Sequence, residues 1–185
     1  MLKRRENGFP LIMGVVNVTP DSFHEGSRAP NLQNVRSRAI RMSKDGADWI
    51  DVGGESTRPG SKFVSQEEEL ARVVPAIECI REELPDICIS VDTRRSLVAS
   101  ESLAVGADMV NDVSSLSDPG MIRVILDYDC PICLMHMKGL PENMQNNPRY
   151  EDVVSEVRDF LSQTSSRLTN LGIEPSRLVV DPGIG

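Results

Sequence analysis

Short apolar runs alternate with longer amphipathic stretches along the whole chain. Leu11–Val18, Trp49–Val52, Ile87–Val91, Met109–Val113, Ile132–Met135 and Leu178–Val180 are rich in Ile, Val and Leu without polar alternation. Such runs predict parallel strands covered on both faces. Between them, Leu32, Val35, Ala39 and Met42 form one helical stripe, closed by Gly46. Ser65-Gln-Glu-Glu68 is a capping-box start for a helix carrying Leu70, Val73, Val74, Ile77 and Ile80,. Pro75 falls inside that helix and predicts a kink or a broken first turn. Asp118-Pro119 reads as N-cap and first position of a short helix running to about Leu126. Val153, Val157, Phe160, Thr164, Leu168 and Leu171 mark the longest helix, ended by Gly172.

Gly46-Ala47-Asp48 and Gly106-Ala107-Asp108 form a weak internal repeat, each placed between a helix and the next apolar run. Each copy reads as a C-cap glycine, a tight turn and a buried strand. Six strands with intervening helices give an α/β parallel sheet, either a (β/α) barrel or a doubly wound sheet. The polar residues decide between them. Asn17, Glu55-Ser56-Thr57-Arg58, Asp92, Asn111-Asp112, His136 and Asp181 stand at or just after the ends of the successive runs. In a barrel all strand C-termini open on one mouth, where such a ring can share a ligand. A doubly wound sheet concentrates its chemistry at one switch point. Neither a G-x-G-x-x-G fingerprint nor a Walker-type phosphate loop is present. A complete barrel takes about 250 residues, whereas this chain has 185 and stops at Asp181-Pro-Gly-Ile-Gly185. Residues 1–185 therefore read as a single domain of (β/α)8 type with about six βα units, lacking the C-terminal ones.

The composition is that of a globular protein, 39% hydrophobic and 26% charged, with a formal net charge of −8. That charge opposes non-specific binding to nucleic acid or anionic lipid. An anionic substrate would need a local Arg, a helix N-terminus or a metal ion. No stretch approaches the roughly 18 apolar residues of a membrane span, and the N-terminal apolar run lacks a signal-peptide cleavage site. The cytoplasm is the expected compartment. Cys130-Pro-Ile-Cys133 matches C-x-x-C but leads into a strand, so its thiols read as small buried hydrophobes. The Glu67-Glu68-Glu69 run reads as a solvated helix start favoured by the helix dipole.

Met13-Gly-Val-Val-Asn17-Val-Thr-Pro-Asp-Ser-Phe23 resembles the first signature of the dihydropteroate synthase family, and Asp51-Val-Gly-Gly-Glu-Ser-Thr57-Arg58-Pro59-Gly60 resembles the second. Ile89–Thr93, Val110–Val113, Leu134–Gly139 and Asp181–Gly185 follow in the family's order. The resemblance covers the chain from about Ile12 onward. It implies a pterin-binding TIM barrel that joins 6-hydroxymethyl-7,8-dihydropterin diphosphate to 4-aminobenzoate, releasing diphosphate. Asp92, Asn111 and Asp181 are then the pterin residues, with Arg58, Asp92 and Asp181 closest to the chemistry. Their residue types suit the task, because a pterin edge donates several N–H bonds that short acids and amides accept. Read singly, each could equally be a strand-end turn residue.

The same resemblance makes Asn17 a magnesium ligand, Thr57 a diphosphate contact, and Phe23, Arg58 and Pro59 walls of the aminobenzoate pocket. A homodimer is expected for the complete protein. Phe23-His24-Glu25-Gly26 departs from the family's usual sequence after the Phe, and Arg94-Arg95-Ser96 lacks a proline that commonly follows the basic residue. Family members continue with a lysine and an Arg-x-His motif that hold the anion half of the site, so this chain alone is expected to be nearly inactive. Two other readings stand beside this one. One is a methyltetrahydrofolate-dependent methyltransferase of the related barrel family, the other a non-catalytic pterin-binding fragment.

Overall fold

A computed structural model describes residues 8–18, 31–55, 63–138 and 148–184. It contains a six-stranded, wholly parallel sheet in the order β1-β2-β3-β4-β5-β6. The strands are β1 (Met13–Asn17), β2 (Trp49–Gly53), β3 (Cys88–Asp92), β4 (Met109–Asp112), β5 (Ile132–Met135) and β6 (Leu178–Asp181). Each strand pairs with the one before it in sequence. There is no switch point, which is the order of a barrel wall. Helices α1 (Leu32–Lys44), α2 (Gln66–Glu83), α3 (Ser96–Ala104), α4 (Met121–Tyr128) and α5 (Val153–Asn170) connect them. No helix among the described residues is long and apolar enough to cross a membrane.

The core lies between strands and helices, where Ile50, Val52, Val73, Ile77, Ile80, Ile89, Val91, Val98 and Ile125 are buried together. β2 is buried along its whole length. The edge strands depart from the expectation of cover on both faces. Val15 is 46% exposed and Val180 52%. Helix α3 carries no clear stripe in sequence, yet it buries Val98, Ala99, Ser102 and Leu103.

At the N-terminal ends of the strands the Gly-Ala-Asp repeat works as a clamp. Gly46 and Gly106 take φ of +100° and +113°, the left-handed region open to glycine,. The following aspartates then grip the preceding strand. Asp48 accepts from Ile12 N and Asp108 from Ile89 N, both at 2.7 Å. Arg81 adds hydrogen bonds to the Gly106 carbonyl and to Asp108. Gly172 repeats the cap at φ +95°, without the aspartate.

Two local expectations need correction. Asp118 does not cap α4, which begins at Met121 behind Gly120. Its carboxylate instead accepts from Ser96 N at 2.7 Å, capping the neighbouring helix α3, and from Gly120 N. And α2 runs as one helix through Pro75, because its buried face of Val73, Ala76, Ile77 and Ile80 outweighs the single backbone bond that proline forfeits.

Candidate functional site

Strand register builds the site. Asn17, Gly53, Asp92, Asn111 and Cys133 are consecutive partners across five strands, a single row at the strand C-termini. Side chains alternate along a strand, so residues two positions away share this face. Asp51 and Ser90, themselves partners, lie one step deeper. Met135 and Asp181, also partners, lie one step nearer the mouth. Three carboxyl groups are thus stacked from floor to rim on the inner face of the sheet.

Gly53 opens the row. A Cβ there would stand 3.1 Å from Asp92 Oδ2 and 3.6 Å from Asn17 Oδ1, so the missing side chain leaves room between a carboxylate and an amide oxygen. Asn111 Nδ2 donates to Asp51 Oδ2 at 3.3 Å. Among the described residues, Asp51 Oδ1 and Ser90 Oγ are buried without a hydrogen-bond partner. Asp181 Oδ1 accepts from Gly183 N at 2.7 Å, so one of its oxygens serves the turn that ends β6. Asp112, on the opposite face, is a structural residue. Its two oxygens take the backbone N–H groups of Ser114 and Leu116 at 2.8 Å each. They thereby hold a turn in which Ser115 and Leu116 have positive φ.

Burial, and then the charges of Asp51, Glu69, Asp112 and Glu55, hold the Asp92 carboxyl well above the usual carboxylate range. Burial also raises Asp51, against the hydrogen bond from Asn111. The Cys133 thiol, at the end of the row, is pushed up to about 12 by burial and by Asp181, Asp51 and Asp92. Carboxyls this reluctant to ionise unaided favour a ligand that brings several N–H donors or positive charge.

A second cluster flanks the pocket. Glu55, just past β2, pairs with Arg94 and Arg95 at 3.4 and 3.2 Å. Arg95 also pairs with Glu69, donates to the Val64 carbonyl at 2.6 Å, and lies over the Phe63 ring. Arg72 donates to the Gly54 carbonyl at 2.7 Å and pairs with Glu68. The sequence expectation for Glu67–Glu69 is therefore corrected at Glu69. That side chain is only 1% exposed, because it projects toward β2 and β3 where Arg95 meets it.

His136 is buried, its ring 5.2 Å from Phe160 in an edge-to-face contact and 5.9 Å from Tyr150. Its backbone N–H donates to the Asp181 carbonyl at 2.8 Å. All four cysteines are free thiols, and Cys130 and Cys133 are buried. Of the residues anticipated from sequence, Asn17, Asp92, Asn111 and Asp181 share the inner face. Phe23, Thr57, Arg58 and Pro59 lie outside the described residues. Sequence reasoning passed over Asp51 and Ser90; a carboxylate two positions before a strand-end glycine, inside an apolar run, was the available signal.

The family model described as pterin binding enzyme matches residues 13–185, and the chain belongs to this family of pterin-binding barrels. Among individual relatives, it is 46% identical over 176 residues to the dihydropteroate synthase of Escherichia coli strain K12, a match covering 95% of this chain and 62% of that protein. A Yersinia pestis dihydropteroate synthase solved in complex with a sulfonamide drug superposes with a TM-score of 0.87 at 44% identity, over 95% of this chain and 64% of that one. A Xanthomonas albilineans dihydropteroate synthase solved with 4-aminobenzoic acid superposes at 0.85 and 42%, over 95% and 62%. The chain spans about 62% of the length of its Escherichia coli and Neisseria meningitidis relatives.

Proposed function

We propose that the protein acts as a dihydropteroate synthase, condensing 6-hydroxymethyl-7,8-dihydropterin diphosphate with 4-aminobenzoate to give 7,8-dihydropteroate and diphosphate. The observation that carries this reading is the Asp92–Asn111 pair in register on the inner face, with Asp181 at the rim. It sits in a chain 46% identical to a dihydropteroate synthase. In this reading residues 1–185 form one pterin-binding domain. Asp92, Asn111 and Asp181 hold the pterin by accepting its N–H groups. The raised proton affinity of Asp92 suits a ring whose positive charge builds as the leaving group departs.

The bond from the pterin methylene to the diphosphate oxygen breaks, its electron pair leaving with diphosphate, and the aniline nitrogen forms the new C–N bond and gives up a proton to the released diphosphate or solvent. Thr57 and Arg58 would meet the diphosphate, and Phe23, Arg58 and Pro59 would wall the aminobenzoate; the roles of all four residues rest on the motif match. The reaction needs positioning and charge neutralisation and no covalent nucleophile from the protein. Asn17 Oδ1 is a neutral, hard oxygen at the β1 end of the row, the donor type Mg²⁺ takes when substrate phosphates and water complete its shell. When bound there, the ion would neutralise the departing diphosphate. The same reading takes the protein to be a cytoplasmic homodimer, on the motif resemblance alone.

The test is chromatographic detection of 7,8-dihydropteroate made by the complete protein, with and without EDTA, beside Asp92→Asn and Asn17→Ala. Product should depend on both substrates, fall with either variant and disappear with excess EDTA. Failure to form product from these substrates overturns the reading. Product unchanged in EDTA removes the metal role alone.

A further inference from the structure

We infer that Asp51 is a positioning residue for the proposed pterin site, fixing which end of the Asn111 amide, oxygen or nitrogen, faces the ligand. The inference rests on the pterin reading and extends it one step deeper, to the floor of the pocket.

The geometry is specific. Asp51 lies one step below the row, in register with Ser90, and its Oδ2 takes the Nδ2 of Asn111 across two strands at 3.3 Å. A terminal amide is almost symmetric in shape, so packing alone scarcely distinguishes its two orientations. Because the Asn111 nitrogen donates to Asp51 Oδ2, the amide oxygen is left for the other side. For a ligand recognised through its own N–H groups, that choice decides between a hydrogen bond and a clash of two donors.

Stability does not account for Asp51. It is 4% exposed, and among the described residues no cation pairs with it. Among the described residues, its Oδ1 and the neighbouring Ser90 Oγ are both buried without a hydrogen-bond partner. A buried, half-satisfied carboxyl costs stability relative to an apolar side chain of similar size. A group kept at such a cost, touching a ligand-facing amide, is explained by what it does to that amide.

The test is a thermodynamic cycle in the full chain, using 6-hydroxymethylpterin as the probe and calorimetry as the readout. The proteins are wild type, Asp51→Ala, Asp51→Asn, Asn111→Ala and Asp51→Ala/Asn111→Ala. Losing the orientation of one ligand-facing hydrogen bond should weaken binding about tenfold in Asp51→Ala. Asp51→Asn keeps an acceptor but adds N–H groups, and should fall between. In the Asn111→Ala background, Asp51→Ala should add nothing, since its effect passes through the amide. The thermal midpoint of Asp51→Ala should not drop. An equal tenfold loss in both backgrounds would mark a general structural role and overturn the inference, as would wild-type affinity in Asp51→Ala. Absence of any pterin binding by the wild type would overturn the pterin reading itself, and this inference with it.

Discussion

Replacing Arg95 by Met tests the account of the second cluster most sharply. Arg95 is 13% exposed and its partner Glu69 1%, and the same guanidinium reaches Glu55 and the Val64 carbonyl. Methionine keeps much of the stem but removes the charge, leaving the Glu69 carboxylate buried and uncompensated, since Arg72 is engaged with Glu68 and Gly54. Removing one partner of a buried pair costs about 3–5 kcal/mol. Domains of this kind have on the order of 5–15 kcal/mol in total, so the variant should lose about a fifth or more of its stability. At about 2–4 °C per kcal/mol for a chain of this size, the thermal midpoint should fall by roughly 6–20 °C. Urea unfolding at neutral pH measures the same quantity as a shift in midpoint at constant slope. The decisive comparison is Arg95→Met/Glu69→Gln, which removes the stranded charge and should recover part of the loss. A loss below about 1 kcal/mol in the single variant, the range of an exposed pair, refutes the reasoning. So does a double variant no more stable than the single.

Asp92→Asn should stabilise the protein at neutral pH and much less at acid pH. A carboxyl whose folded pKa is raised binds more protons folded than unfolded. Its cost therefore appears as pH climbs from its ordinary 3.8 toward the higher folded value,. Thermal midpoints of the two proteins measured from pH 4 to pH 8 should diverge upward, and a gap that is constant or widest at pH 4 would contradict this. The Cys133 thiol, held near 12, should stay protonated and unreactive in the native protein. Ellman's reagent at pH 7.5 should label it only after denaturant is added, as mapped by mass spectrometry; rapid native labelling of Cys133 would place it outside the acidic row.

What was legible in the sequence follows from what fixes each element. Parallel strands buried on both sides must be continuous apolar runs, so all six could be seen, and their polar ends pointed to a barrel mouth. The ends moved by a residue or two where side chains claim the backbone. β4 stops at Asp112 because its carboxylate captures the following turn. Glu69 was misread because three consecutive glutamates look solvated, although a helix turns them about 100° apart and one must face inward. Its cation comes from a different βα unit, 26 residues away, which no local pattern contains. Asp51 escaped for a related reason. Within its own strand it is one polar residue in an apolar run, and only the register with Ser90 and, through Asp92, with Asn111 shows what it touches.

The colinear order of the sheet has a consequence for how the chain is made. Every strand finds its partner in the strand synthesised just before it, and the starts of β1 and β2 lie only 36 residues apart. At about 5–20 residues per second, one such unit leaves the ribosome every few seconds, whereas helix formation and short loop closure take microseconds or less. Each unit can dock on a finished template before the next appears. The Asp48 and Asp108 clamps, which bind backward to the earlier strand, suit that direction of growth. The cost falls on the growing edge, since every intermediate presents one bare parallel strand until its successor arrives. A nascent chain stalled between units is therefore where aggregation or chaperone capture would concentrate.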